Sequence, residues 1–112
     1  MTPSSQGRGP VEVTDDTFDA FVAGNRAAAI DCWAAWCPPC RILSPVFEQL
    51  AEENGEISFG KLNVDENPAI AVRFGIMSIP TILYFKDGKL VDKTIGALPK
   101  DAIDSRLRQL LP

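Results

Sequence analysis

The chain has 112 residues, of which 46% are hydrophobic and 23% charged, and this size and composition are typical of one small domain with its own hydrophobic core. The net charge is −4 at pH 7 and the 11 basic residues are scattered, which argues against nucleic acid as a partner because phosphate binding requires clustered lysine and arginine. No apolar stretch approaches the roughly 18 residues that span a bilayer, so no membrane partner is expected.

Residues 1–10 contain proline, glycine and serine but no apolar segment. Because the apolar region of a signal peptide is absent there, we expect no export and a cytoplasmic location. The composition predicts a flexible N-terminal tail over residues 1–10, followed by one folded domain over residues 11–112.

Strand-like and helix-like patterns alternate along the rest of the chain. In order, they predict a strand at 11–13, a helix capped by Thr14, a strand at 27–33, a helix that follows Pro38, a strand at 57–64, a helix at 69–74 capped by Asn67, strands at 81–85 and 90–95, and a helix that begins at Pro99. Asp87-Gly88 is typical of a two-residue hairpin turn, which makes the last two strands antiparallel, whereas strand–helix–strand units require parallel neighbours. The prediction is an α/β fold with a mixed five-stranded sheet and helices on both faces.

Two of the three cysteines form the sequence Cys37-Pro38-Pro39-Cys40, directly after the predicted central strand and at the start of a helix. The thiolate is the reactive form of cysteine, and the free N–H groups and positive dipole end of a helix N-terminus stabilise a negative sulfur. Cys40 lies in the same first turn, from which it can attack a mixed disulfide formed at Cys37 and release the partner. The pattern therefore predicts a redox-active dithiol, with Cys37 as nucleophile and Cys40 as resolving thiol.

A Cys-x-x-Cys pair can also hold a zinc ion or form a purely structural disulfide. A structural zinc site requires four ligands, usually cysteine or histidine, and the chain has no histidine and only one further cysteine, Cys32. A structural disulfide across so short a loop would constrain the unfolded chain little. Redox chemistry is the interpretation that the residues and their placement favour. Cys32, within an apolar strand, is expected to be buried and inert.

The segment from Asp31 to Arg41, Asp-Cys-Trp-Ala-Ala-Trp-Cys-Pro-Pro-Cys-Arg, resembles the active-site segment of the thioredoxin family, except that Pro38 stands where that family usually has glycine. Segments at 61–65, 79–81 and 95–97 resemble three further landmarks of the family in the same order. The resemblance covers roughly residues 11–111. It implies the thioredoxin fold and a protein-disulfide reductase without a cofactor, which acts on disulfide-containing proteins and is re-reduced by a thioredoxin reductase.

Further residues complete the candidate site. Asp31 interrupts an apolar strand, which predicts burial and a raised pKa because desolvation disfavours the charged carboxylate. The resemblance places Asp31 beneath the dithiol, where it could take the proton of Cys40, and places Lys61 beside that acid. It also implies a substrate-binding surface with a cis Ile79–Pro80 bond, formed by Trp36, Ile79, Pro80, Gly96 and Ala97. The alternatives are a half-exposed edge position for Asp31, a solvated strand lysine at Lys61 and a simple strand bulge at Gly96.

Three functions are compatible with a dithiol in such a fold. The favoured one is a dithiol reductase that carries electrons between a reductase and many proteins. An oxidase or isomerase is the second, but such relatives commonly have histidine between the cysteines and need an export signal. The third is a non-redox scaffold or holdase that uses the apolar rim around Trp36, against which the presence of both cysteines argues. Nothing in the sequence requires more than a monomer.

Overall fold

The computed structural model describes residues 9–112, so the expected flexible tail lies outside the described residues except for Gly9 and Pro10. Within these residues, five strands and four helices follow one another in the predicted order. They are β1 (Val11–Glu12), α1 (Phe18–Ala23), β2 (Ala27–Trp33), α2 (Pro38–Glu53), β3 (Ser58–Asn63), α3 (Pro68–Arg73), β4 (Thr81–Lys86), β5 (Lys89–Ile95) and α4 (Lys100–Arg108).

The strands form one mixed sheet in the order β1-β3-β2-β4-β5. β3 pairs in parallel with β1 and β2, whereas β4 is antiparallel to both β2 and β5. The predicted hairpin turn joins β4 to β5, where Asp87 and Gly88 have φ values of 52° and 82°. Two consecutive positive φ values match the twist of an antiparallel hairpin. The predicted mixed five-stranded sheet is therefore confirmed.

The helices cover both faces of the sheet, as predicted. Alternate residues of β2 point to opposite faces, and both faces are apolar, so each face can bury a pair of helices. Ala27 and Ala29 pack in one cluster with the buried side chains of α2 and α4. Ala28 and Ile30 pack in a second cluster with the buried side chains of α1 and α3. Asp31 is the next residue on the face that carries α2.

The predicted cap of α1 is wrong by one turn. The helix begins at Phe18 with Thr17 as its N-cap residue, and Thr14 instead begins the preceding turn. The Thr14 carbonyl accepts hydrogen bonds from the amides of Thr17 and Phe18 at 3.1 and 2.9 Å. The Thr14 amide donates to Thr17 Oγ1 at 2.9 Å. These local bonds hold residues 14–17 in a turn of their own, so the helix starts three residues later than the cap pattern predicts.

The N-terminus of α3 is capped by a distant side chain. Asn67 occupies the predicted N-cap position, but its side chain makes no cap hydrogen bond. The carboxylate of Asp15 accepts from the amides of Ala69 and Ile70 at 3.1 and 2.9 Å. Asn67 Oδ1 in turn accepts from the Asp15 amide at 2.8 Å. These bonds fasten the turn before α1 to the start of α3.

No helix within residues 9–112 is long and apolar enough to cross a membrane.

The Asp15 cap gives a test of the fold. Replacing Asp15 with alanine leaves two helix N–H groups without their acceptor, and we expect the free energy of unfolding to fall by about 1–2 kcal/mol. Asp16→Ala is the matched control, because Asp16 is the exposed neighbour. Urea denaturation of the two variants at pH 7 measures the difference. Equal effects of the two substitutions would contradict the capping role.

Candidate active site

The dithiol lies where β2 ends and α2 begins. Cys37 is the N-cap residue of α2, with an extended backbone at φ −97° and ψ 107°. Pro38 and Pro39 occupy the first helical positions and have no N–H group to donate. The amide of Cys40 is therefore the first helix N–H available, and it donates to Cys37 Sγ at 3.2 Å. The two prolines leave this one backbone donor to the sulfur of Cys37.

Cys37 and Cys40 are joined by a disulfide with a Cα–Cα distance of 5.3 Å. Both residues are buried, and the two cysteines face different surroundings. Cys37 Sγ lies 3.7 Å from the carbonyl oxygen of Ile79, in the loop before β4. Cys40, but not Cys37, lines a cleft of about 220 Å³. The other residues of this cleft are Trp33, Ala34, Ala35, Arg41, Ser44 and Lys61.

Asp31 is fully buried, so the alternative of a half-exposed edge carboxylate is wrong. Neither of its carboxyl oxygens has a hydrogen-bond partner. Burial raises the pKa of Asp31 to about 7, and the positive charge of Lys61 partly offsets this effect. The predicted raised pKa is therefore confirmed. A buried carboxyl that titrates near neutral pH can both accept and release a proton under physiological conditions.

Lys61 is paired with Asp31 in the register of β3 and β2, but the two side chains are not bonded to each other. Lys61 Nζ donates to Ser44 Oγ at 2.9 Å and lies 5.1 Å from the centre of a Trp33 ring. Lys61 is thus held by neighbours and is not a freely solvated lysine. Ser44 was not predicted from the sequence, although it follows Cys40 by four residues and this spacing places both on one face of α2.

Trp36, the residue before Cys37, is 64% exposed. Its indole Nε1–H donates to Asp65 Oδ2 at 2.8 Å, which fixes the ring while leaving it open to solvent. Asp65 belongs to one of the segments that carry the family resemblance, but its contact with Trp36 joins residues 29 apart and could not be predicted from either segment alone.

The remaining candidate residues lie in two adjoining loops. The Ile79–Pro80 bond is cis, as expected, and half-buried Ile79 packs against the buried cluster that contains the two cysteines. The Pro80 carbonyl accepts from the Gly96 amide at 2.8 Å, which joins this loop to the loop after β5. Gly96 has φ +95° and lies beyond the end of β5, and the register shift of this hairpin lies between Tyr84 and Phe85. The bulge alternative for Gly96 is therefore wrong. Ala97 follows as an exposed residue.

Cys32 lies on the opposite face of β2, away from the dithiol. It is fully buried in the cluster that carries α1 and α3. Burial raises the pKa of its thiol to about 12, and the negative charge of Asp31 adds to the effect. A thiol that stays protonated is neither a nucleophile nor a metal ligand. Within residues 9–112 no group of three or more acidic, cysteine or histidine side chains is arranged to hold a metal ion.

Comparisons with known proteins agree with this geometry. The family model Thioredoxin matches residues 9–109. The thioredoxin of Alicyclobacillus acidocaldarius is 44% identical over 100 residues, which are 88% of this chain and 95% of that protein. Thioredoxin 2 of Chlorobaculum tepidum is 50% identical over 98 residues, covering 86% of this chain and 90% of that protein. A mutant thioredoxin from Halobacterium salinarum superposes with a TM-score of 0.90 at 32% identity, covering 100% of this chain and 97% of that one.

A disulfide-bonded Cys-x-x-Cys pair at a helix N-terminus, together with these relatives, makes the chain a protein-disulfide oxidoreductase that reduces target disulfides by thiol–disulfide exchange. The fold, the dithiol and the matched sequence agree over residues 9–109, and the chain belongs to the thioredoxin family.

Proposed function

We propose that Cys37 is the attacking thiol and Cys40 the resolving thiol of a reductase that passes electrons from a thioredoxin reductase to protein disulfides. The observation that carries this assignment is the hydrogen bond from the Cys40 amide to Cys37 Sγ. A backbone N–H at a helix N-terminus stabilises negative charge on the sulfur that accepts it. This hydrogen bond does not stabilise negative charge on the sulfur of Cys40, so Cys37 is the thiol that ionises more easily.

The reaction proceeds in two exchanges. The Cys37 thiolate attacks one sulfur of the target disulfide, the target S–S bond breaks, and the other target sulfur leaves as a thiolate. Cys40 then loses its proton and attacks Cys37 Sγ, which breaks the mixed disulfide and releases the second target thiolate. Both target thiolates take up protons. The target gains two electrons, and the protein ends with the Cys37–Cys40 disulfide that a thioredoxin reductase reduces.

Asp31 is proposed to take the proton of Cys40 in the second exchange. Its position on the α2 face of β2 and its pKa of about 7 support this role, because a base that titrates near the working pH transfers protons efficiently. Lys61, paired in register with Asp31, is proposed to modulate the charge of that carboxyl from the cleft beside Cys40.

The target chain is proposed to bind over the surface formed by Trp36, Ile79, Pro80, Gly96 and Ala97. The exposed Trp36 ring supplies apolar contact on one side of Cys37. On the other side, the hydrogen bond between Pro80 and Gly96 holds two loops together. Gly96 has no side chain and Ala97 only a methyl group, which leaves room for another backbone. This surface supports a broad preference for proteins over a single small substrate.

We further propose that the protein works as a monomer in the cytoplasm. A reducing compartment suits an acceptor of electrons from a thioredoxin reductase, and the buried thiol of Cys32 has no partner cysteine within this domain. The inner dipeptide Pro38-Pro39 is proposed to be an active-site variant of the family pattern.

Dithiothreitol-driven reduction of insulin disulfides tests the assignment of the dithiol. We expect Cys37→Ser to abolish the activity, because the first exchange requires the Cys37 sulfur. Cys32→Ser is the matched control and is expected to keep the activity, since Cys32 lies on the other face of the sheet. Activity that survives in Cys37→Ser, or that disappears in Cys32→Ser, would contradict the assignment.

Alkylation tests the order of the thiols. In the reduced protein at pH 7, we expect iodoacetamide to label Cys37 first, because the Cys40 N–H stabilises its thiolate. Cys32 is expected to react only after denaturation, because it is buried with a raised pKa. Peptide mapping by mass spectrometry identifies the labelled thiol. Faster labelling of Cys40 would reverse the proposed roles.

Replacing Asp31 with asparagine tests both burial and proton transfer. The folded-state pKa is about 7 against a model value of 3.8, so the folded protein binds this proton more tightly than the unfolded chain. Wild-type stability is therefore fully present below the unfolded pKa and is lost as pH rises from about 4 to about 7. We expect Asp31→Asn to stabilise the oxidised protein by about 2–4 kcal/mol at pH 9 and to lose this advantage at pH 4.

The same variant should slow the second exchange by about 100-fold at pH 7, the usual effect of removing a general base. Stopped-flow release of thionitrobenzoate from a mixed disulfide on Cys37 measures this step directly. An unchanged rate would remove the proposed role of Asp31, whereas urea denaturation at the two pH values checks its burial independently.

Replacing Pro38 with glycine tests what this proline, which stands where the family usually has glycine, contributes. An N–H at the first helical position is rarely used by an N-cap side chain, so the Cys37 thiolate should gain little from it. We expect both redox states to lose roughly 0.4–1 kcal/mol through the greater freedom of the unfolded chain. A loss common to both states cancels, so equilibration with glutathione should show a potential within about 30 mV of wild type. A larger difference would mean that Pro38 favours one redox state.

A further inference from the structure

Asp31 and Lys61 are neighbours in the sheet, but their side chains form neither a hydrogen bond nor an ion pair. Asp31 and Lys61 are paired in register, and Lys61 lines the cleft next to Cys40. Neither Asp31 oxygen accepts a hydrogen bond, and the ion pairs found within residues 9–112 do not include this pair. The ammonium group of Lys61 instead donates to the neutral hydroxyl of Ser44 at 2.9 Å.

This arrangement is unexpected, because an ammonium group gains more from a buried carboxylate than from a hydroxyl. An ammonium and a carboxylate also attract each other as opposite charges, and this attraction is strong in a buried site of low dielectric constant. The Lys61 ammonium has two contacts that compete with Asp31, namely the Ser44 hydroxyl and the face of the Trp33 ring at 5.1 Å. Of these, the Ser44 hydroxyl is the directional contact. It lies one helical turn beyond Cys40 on the cleft side of α2.

We propose that Ser44 is a positioning residue of the dithiol reaction: its hydroxyl holds the Lys61 ammonium over Trp33 and away from Asp31, so that the carboxyl is not locked in an ion pair. The proposal rests on the proton-transfer role given to Asp31 above, and it concerns how that role is maintained. A carboxylate bonded directly to an ammonium would be a weaker base for Cys40. Ser44 thereby keeps Asp31 able to exchange its proton near neutral pH.

The other titratable groups on β2 and on the elements of this face do not substitute for this contact. Cys40 faces the cleft from α2, and Tyr84 of β4 pairs its hydroxyl with Thr94 of β5 at 2.9 Å. Cys32, next to Asp31 along β2, points to the opposite face. Arg106 of α4 is bound to Asp92 of β5 at 2.8 Å, and Arg41 of α2 donates to the Ala35 carbonyl at 2.9 Å. Lys61 is the cation that shifts the pKa of Asp31.

The test follows the Asp31 carboxyl directly, by ¹³C NMR titration of the oxidised protein, in which Cys37 and Cys40 do not titrate. In Ser44→Ala the freed ammonium should move to the carboxyl and lower the pKa of Asp31 by about 1. Ser44→Thr keeps a hydroxyl at the same place and should retain the wild-type value. In a Lys61→Met background, Ser44→Ala should leave the pKa of Asp31 unchanged, because the cation that Ser44 positions is gone.

An unchanged or raised pKa of Asp31 in Ser44→Ala would overturn the proposal. An equal fall in the Lys61→Met background would also overturn it, because Ser44 would then act by some route other than Lys61. The rate of mixed-disulfide resolution, measured on the same variants, separates this inference from the proposed function. The pKa of Asp31 could fall in Ser44→Ala but not in the Lys61→Met background, while the rate at pH 6 to 8 stays unchanged. This result would support the positioning of Lys61 by Ser44 and contradict Asp31 as the base.

Discussion

The register of β2 with its two neighbours determines where the groups of the site lie. Pairing with β3 sets Asp31 opposite Lys61, and pairing with β4 sets Cys32 opposite Thr81, which directly follows the cis peptide bond. A slip of one residue would exchange the faces of the strand, so that Cys32 would point toward α2 and Asp31 toward α1. Such a slip is opposed because it would carry the Asp31 carboxyl into the cluster of aromatic rings around Phe18.

After β2 the chain enters α2, the helix whose N-terminus carries the dithiol. Cys37 takes the extended backbone of an N-cap residue, which the following proline favours because it disfavours helical geometry in the residue before it. The two prolines remove the N–H groups of the first helical positions, so the Cys40 amide is the backbone donor that reaches Cys37 Sγ. One short segment thus supplies both cysteines of the dithiol and the backbone donor that contacts Cys37 Sγ.

The sequence predicted the parts of the site that depend on local chemistry. The alternation of strands and helices, the hairpin at Asp87-Gly88 and the dithiol at a helix N-terminus each follow from a few neighbouring residues. Contacts across the fold were not predictable in this way. Asp15 caps a helix 54 and 55 residues further along, and Trp36 is held by Asp65. The start of α1 was predicted three residues too early for a different reason. Thr14 and Thr17 are both suitable N-cap residues, and only the hydrogen bonds between them decide which one precedes the helix.

The burial of Asp31 lowers the stability of the protein but favours the proposed role of this residue as a base. A carboxyl buried without a partner resists ionisation, and the free energy of keeping it there must come from the apolar packing of this face of the sheet, which includes Leu43 and Phe47 of α2. A hydrogen bond or ion pair would recover part of that free energy, but it would lower the pKa of Asp31 and weaken it in its proposed role as a base. A neutral hydroxyl at Ser44 satisfies the nearby ammonium without bringing it to the carboxyl. In the proposed mechanism, the reactivity of this site therefore depends as much on the absence of a bonded partner at Asp31 as on the hydrogen bond to Cys37 Sγ.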